Sequence, residues 1–131
     1  MTLRLSSVCR DSALQALTQM LQVIYIYAGT QPATPESPMD AGTELATFYV
    51  QGQFSTLKGG VLSLIGKVEG TATGSGVAGW ARWTYPQSPT TAIDGAVGLE
   101  GATDVEFFLS SLTIVAGNPV SLSGLVVTFP M

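Results

Sequence analysis

Residues 23–50 read VIYIYAGTQPATPESPMDAGTELATFYV. Two apolar runs, 23–28 and 43–50, flank a connection that holds Pro32, Pro35 and Pro38 together with Gly29 and Gly42. Val, Ile, Tyr, Phe and Thr suit a pleated, half-buried surface, so both runs predict strands. Proline cannot donate to a ladder and disfavours helix in the residue before it. The connection therefore reads as an exposed, stiffened arm over residues 29–42, with Gln31, Pro32, Pro35 and Pro38 as its contact residues. It is longer than most loops in compact domains, and such loops are often functional. The residues point to an all-β interaction module and show no reaction.

Upstream, Ser6 or Ser7 suits a helix cap, and Asp11 is favourable near the positive helix end. Val8, Ala13, Leu14, Leu17, Met20 and Leu21 then recur at helical spacing, which predicts a helix over about residues 7–22. Cys9 lies among these apolar positions and reads as a buried thiol rather than a nucleophile. A helix that covers one face or open end of the sheets is a stronger reading than one that docks on a partner.

Downstream, Leu45, Phe48 and Val50 form the apolar set of the second strand, and Gly52 marks a turn or bulge. Lys58-Gly59-Gly60 is a turn, residues 61–68 a third strand, and TATGSG at 71–76 a flexible polar loop. GVAGWARWTYP predicts a strong strand with Trp80, Arg82 and Thr84 on one face and Ala81, Trp83 and Tyr85 on the other. Both indoles enter one core only if that strand is covered on both sides, so one is expected at an interface or under a loop. Residues 91–99 return as its partner, with Gly95 as a bulge. In DVEFFLS, Asp104 and Glu106 alternate with Val105 and Phe107. A short strand, a turn at Gly117-Asn118 and a last strand over 120–129 follow, the last apolar on both faces near Phe129 and so either central or sealed by a neighbouring subunit. About eight strands with turns between them predict a single domain over residues 1–131. Its expected architecture is an antiparallel two-sheet sandwich, jelly-roll-like, with one N-terminal α-helix.

At 131 residues the chain can bury a core, and it is 46% hydrophobic but only 11% charged. So weakly charged a surface invites association, which implies that part of it is covered by other subunits. A net charge of −4, with Arg4, Arg10, Lys58, Lys67 and Arg82 scattered, argues against nucleic acid. No apolar run reaches the roughly 18 residues that span a bilayer. Arg4, Arg10 and Asp11 break any signal-peptide core, so the expectation is a chain made in a cytoplasm without export.

The chain has no histidine, which removes Ser-His-Asp and Cys-His arrangements and the commonest general base. Gly74 to Gly79 spell GxGxxG with Asp94 downstream, yet a dinucleotide site needs these glycines to open a helix, and WARWTYP is a strand sequence. Asp94, Glu100, Asp104 and Glu106 lack the spacing of a calcium loop and read as solvated or salt-bridged. No catalytic, cofactor or metal site is expected.

Four segments are similar to small structural proteins of tailed bacteriophages: LRLSSVCRDSALQAL, IYAGTQPATPESPMDAGTELAT, the GWARWTYP and IDGAVG pair, and IVAGNPVSLSGLVVTFP. The resemblance implies a virion component without enzymatic activity, a capsid decoration or cement protein on the outer face of the shell. It implies the major capsid protein as partner. Self-association as a homo-oligomer, a trimer for instance, is expected instead from the sparse charge and the apolar residues on both faces near 126–129. The doubled tryptophan, Trp80 and Trp83, is less typical of that family and marks a contact particular to this virus. Phe129, where the last strand is apolar on both faces, is a further partner-contact residue. The alternative is a tail- or neck-associated protein, or a receptor- or sugar-binding module using Trp80, Trp83 and Tyr85 as a stacking platform.

Overall fold

A computed structural model describes residues 6–34, 43–50, 54–58, 61–64, 67–85 and 88–128. It contains one helix, α1 (Ser7–Met20), followed by β1 (Val23–Ala28), β2 (Glu44–Tyr49), β3 (Phe54–Lys58), β4 (Val61–Leu64) and β5 (Val68–Thr71). Then come β6 (Gly76–Tyr85), β7 (Ser88–Leu99), β8 (Phe107–Leu109), β9 (Thr113–Ile114) and β10 (Pro119–Thr128).

The helix starts where Ser6, in extended backbone, accepts a hydrogen bond from the Cys9 N–H at 3.3 Å. It stops two residues short of the expected end because the sheet takes over. Gln22 N–H donates to the Thr84 carbonyl at 3.1 Å, and the Gln22 carbonyl accepts from Val50 N–H at 2.9 Å. Leu14 and Leu21 are fully buried and Leu17 packs partly buried against the core, so the buried stripe is narrower than the sequence suggests. Cys9 is exposed, correcting the buried-thiol expectation, and Val8 is 73% exposed. Asp11 lies beyond the first turn, which carries no acid. The helix lies against β3 and β4, the covering role expected of it.

The strands form one ten-stranded sheet in the order β2-β1-β6-β7-β8-β10-β4-β3, with β5 also on β10 and β9 on β6. Most pairs are antiparallel, and β7–β8 is parallel. The long strand β10 organises closure. It takes β8 on one edge over Leu122–Leu125, and β5 and then β4 on the other. A bridge between Ala46 and Ala72 brings the end of β5 back to β2. The sheet therefore curls nearly into a barrel, where two separate packed sheets were expected. Inside lie Ile24, Ile26, Phe48, Ala81, Trp83, Phe107, Leu109 and Leu122, all buried. Burying a side chain of this size contributes about 1.5–3 kcal/mol.

Several local readings change. Residues 54–58, unassigned in the sequence, are a strand, and the single run expected over 61–68 is two strands with different partners along β10. The 71–76 segment is pinned rather than loose: Thr71 pairs with Pro119, Thr73 N–H donates to Leu45 O, and Ser75 Oγ accepts from Ala116 N–H. Gly95 is no bulge, since Ala81 pairs with it in unbroken register. It is glycine because a Cβ there would lie 2.7 Å from the Phe107 ring. The bulge falls at Gly79 instead, where the register slips between Tyr27 and Ala28 and a side chain would collide with the Gly29 backbone. Asp104 is in a bend at φ 60°, not on a strand.

Candidate functional site

Strands β1, β2, β6 and β7 each turn one row of side chains into the core and the other row outward. The inward set is Ile24, Ile26, Ala81 and Trp83. The outward set is ordered by register. Thr47, Tyr25, Arg82 and Asp94 stand side by side across four strands, and Glu44, Tyr27, Trp80 and Ala96 form the next rung. This outward face is the candidate site.

Its centre is sealed. Trp80 is 4% exposed and Tyr27 1%, their rings stacked at 4.5 Å between centroids and 19° between planes. The Arg82 guanidinium lies 5.3 Å from the centre of the Trp80 ring. Arg82 Nε donates to Asp94 Oδ1 at 2.6 Å and Nη2 to Oδ2 at 2.8 Å, so each hydrogen bond joins opposite charges in a fork. Burial raises the Tyr27 phenol pKa, with the Glu44 charge adding to it. Tyr25, half-buried, is raised for the same reasons.

The edge of this face is open. Tyr49, on β2 beside Val23 of β1, is 74% exposed. Elsewhere on the molecule Val77 and Val115 project at 62% and 51% exposure. A pocket lined by Ser110, Thr113, Asn118 and Val120 opens near the β9 turn.

Compared with family models, curated proteins and solved structures, the chain matches none.

Of the residues singled out in the sequence, Trp80 and Trp83 are both buried, on opposite faces of β6. That strand is covered on both sides, so neither indole forms a surface platform with Tyr85, which is half-buried. Gln31 is exposed and Pro32 half-buried, after β1 and without regular structure. Pro35, Pro38 and Phe129 lie outside the described residues. The GxGxxG glycines run from a bend into β6, a strand rather than a helix. The four acids once considered for calcium go different ways. Asp94 holds Arg82, Glu106 Oε1 accepts the Ala96 N–H at 3.0 Å, and Glu100 and Asp104 are exposed. Sequence reading missed the Tyr27–Trp80 stack and the Arg82–Asp94 pair. Both join residues on neighbouring strands whose register only the fold supplies, although period-two alternation already put Trp80 and Arg82 on one face. Among the described residues no helix is long and apolar enough to cross a membrane.

Proposed function

We propose that the chain is a bacteriophage virion structural protein, a capsid decoration or cement protein that binds the outer shell, bridges subunits of the major capsid protein and stabilises them. The observation that carries this reading is a sheet curled onto itself with a charge-poor exterior from which Tyr49, Val77 and Val115 project. Such a unit offers shape-matched, largely uncharged contact, and the four-segment resemblance to phage structural proteins points the same way. A protein of net charge −4 suits the outer wall better than the inner one, where packaged DNA concentrates negative charge. The same charge-poor exterior supports self-association, with a trimer as the form to test. We read the function as structural, without catalysis.

We also read the curled sheet as a flattened, jelly-roll-like sandwich, with β2-β1-β6-β7 facing β5-β10-β8. Support comes from a single core shared by Trp83 and Phe48 on one side and Phe107 and Leu122 on the other.

The test is copy number per particle, by quantitative mass spectrometry of purified virions against the major capsid protein. A ratio near unity is expected. A handful of copies would move the protein to the tail or neck, and absence from particles would end the reading. Sedimentation checks the oligomer, which a stable monomer of 13.6 kDa would exclude.

A further inference from the structure

The open edge of the outward face, along β2, holds a group of side chains of which the shell reading uses Tyr49 alone. Tyr25 pairs in register with Thr47, and Tyr27 with Glu44. Tyr49 stands farther along the same row of β2, mostly exposed, while Tyr25, Glu44 and Thr47 are half-buried. Tyr25 and Tyr27 have ring centroids 6.4 Å apart, tilted by 40°. Aromatic surface therefore steps outward from the buried Trp80 through Tyr27 and Tyr25 to Tyr49. The Glu44 carboxylate belongs to the same cluster. Thr73 Oγ1 donates to its Oε2 at 3.4 Å. After burial, the largest cause, its charge raises the pKa of both Tyr25 and Tyr27.

We propose that Tyr25, Glu44, Thr47 and Tyr49 form a binding site for a neutral oligosaccharide. A sugar ring presents a face of C–H bonds and a rim of hydroxyls. An exposed phenol packs against the first. The carboxylate accepts from the second in charge-assisted hydrogen bonds, and the Thr and Tyr hydroxyls both donate and accept. All four residues sit on paired strands or at their first position, so their spacing is held by the sheet. Phosphate-bearing ligands are disfavoured here. Glu44 repels them, and Arg82, the cation of this face, is 1% exposed and held by Asp94. The site is separate from the two indoles and stands whether or not the chain belongs to a virion.

The experiment is an NMR titration of the full chain with maltotetraose, cellotetraose and chitotetraose, run on wild type, Tyr49→Ala, Glu44→Gln and a Val115→Ala control. At least one saccharide is expected to produce saturable amide shifts centred on β1 and β2. Affinity should fall by about tenfold in Tyr49→Ala and in Glu44→Gln, the effect of losing one charged hydrogen bond or one packed ring, and remain unchanged in the control. Both sites are at least partly open, and a thermal melt establishes that each variant is folded. The proposal is overturned if none of the three saccharides shifts these strands at about 10 mM, a concentration that half-saturates a site of about 10 mM dissociation constant. Shifts that map elsewhere, or that survive both substitutions, overturn it equally.

Discussion

Asp94 holds Arg82 across the β6–β7 pair through two hydrogen bonds of 2.6 and 2.8 Å, with both side chains 2% exposed. The pair lies on the face turned away from the hydrophobic core, and Trp80 closes it from the side. Mutual attraction there has to offset the desolvation of both charges, so the pair is informative chiefly when broken.

Removing one partner leaves the other charge buried. Arg82→Met or Asp94→Leu should lower stability by about 3–5 kcal/mol, whereas the two combined should cost far less than the sum of the single changes. Urea denaturation of the four proteins provides the cycle. Additive losses would mean that the two side chains do not depend on one another.

Gly95 makes room for an aromatic ring. Gly95→Ala places a methyl group 2.7 Å from Phe107 Cε2 and 2.8 Å from Glu106 Oε1, and overpacking of this kind costs about 1–3 kcal/mol. Phe107→Leu in the same chain should recover part of that loss by withdrawing the ring edge. Thermal midpoints that leave Gly95→Ala equal to wild type would contradict the packing.

Alkaline pH should unfold the protein earlier than exposed tyrosines would. Tyr27 and Tyr25 have folded pKa values raised above the ordinary tyrosine value, by burial first and Glu44 second. Their neutral forms are thus favoured in the fold. Below about pH 10 this contribution is fully present, and it is lost as pH rises from there toward the folded values, because the unfolded chain gives up its protons first. Tyr27→Phe should flatten the fall in stability above about pH 10, measured by denaturation at a series of pH values. An unchanged slope would remove Tyr27 from the account.

Cys9 should react with a thiol reagent in the native state at the rate of an ordinary accessible cysteine, since it is exposed on the first turn of α1. Ser6→Ala removes the cap that accepts from its N–H, at a cost of about 1 kcal/mol, and should raise amide exchange in that turn. Protection of the thiol until global unfolding would contradict the exposed position.

Local pattern carried much of the fold. The β-branched and aromatic run of β1 and the alternation in β6 were legible to within a few residues, because each presents a strong periodic signal. Phe54–Lys58 was not legible, since FSTLK has too few apolar residues for alternation to show. The break between β4 and β5 was hidden inside VLSLIGKVEG, whose apolar residues continue across it. Near-closure of the sheet depends on β10 pairing with residues about 48 to 67 positions earlier, and no window of sequence contains that pairing. On the site side, Trp80 and Trp83 were legible as opposite-facing. Their shared burial was not, because it depends on what lies across both faces of β6. Glu106 looked like one member of an alternating strand, yet its carboxylate folds back to the Ala96 N–H.

The place of β10 in the chain also bears on how the protein is made. Strands β4, β5 and β8 each pair with β10, yet all three leave the ribosome before it. While residues 119–128 remain in the exit tunnel, these strands hold open edges that can pair with another nascent copy. Final assembly of the sheet therefore waits on translation of its last described strand, and a stall upstream of Pro119 would release a chain with three unmatched edges. Ribosome-bound chains halted before and after β10, compared by protease sensitivity, would locate that moment.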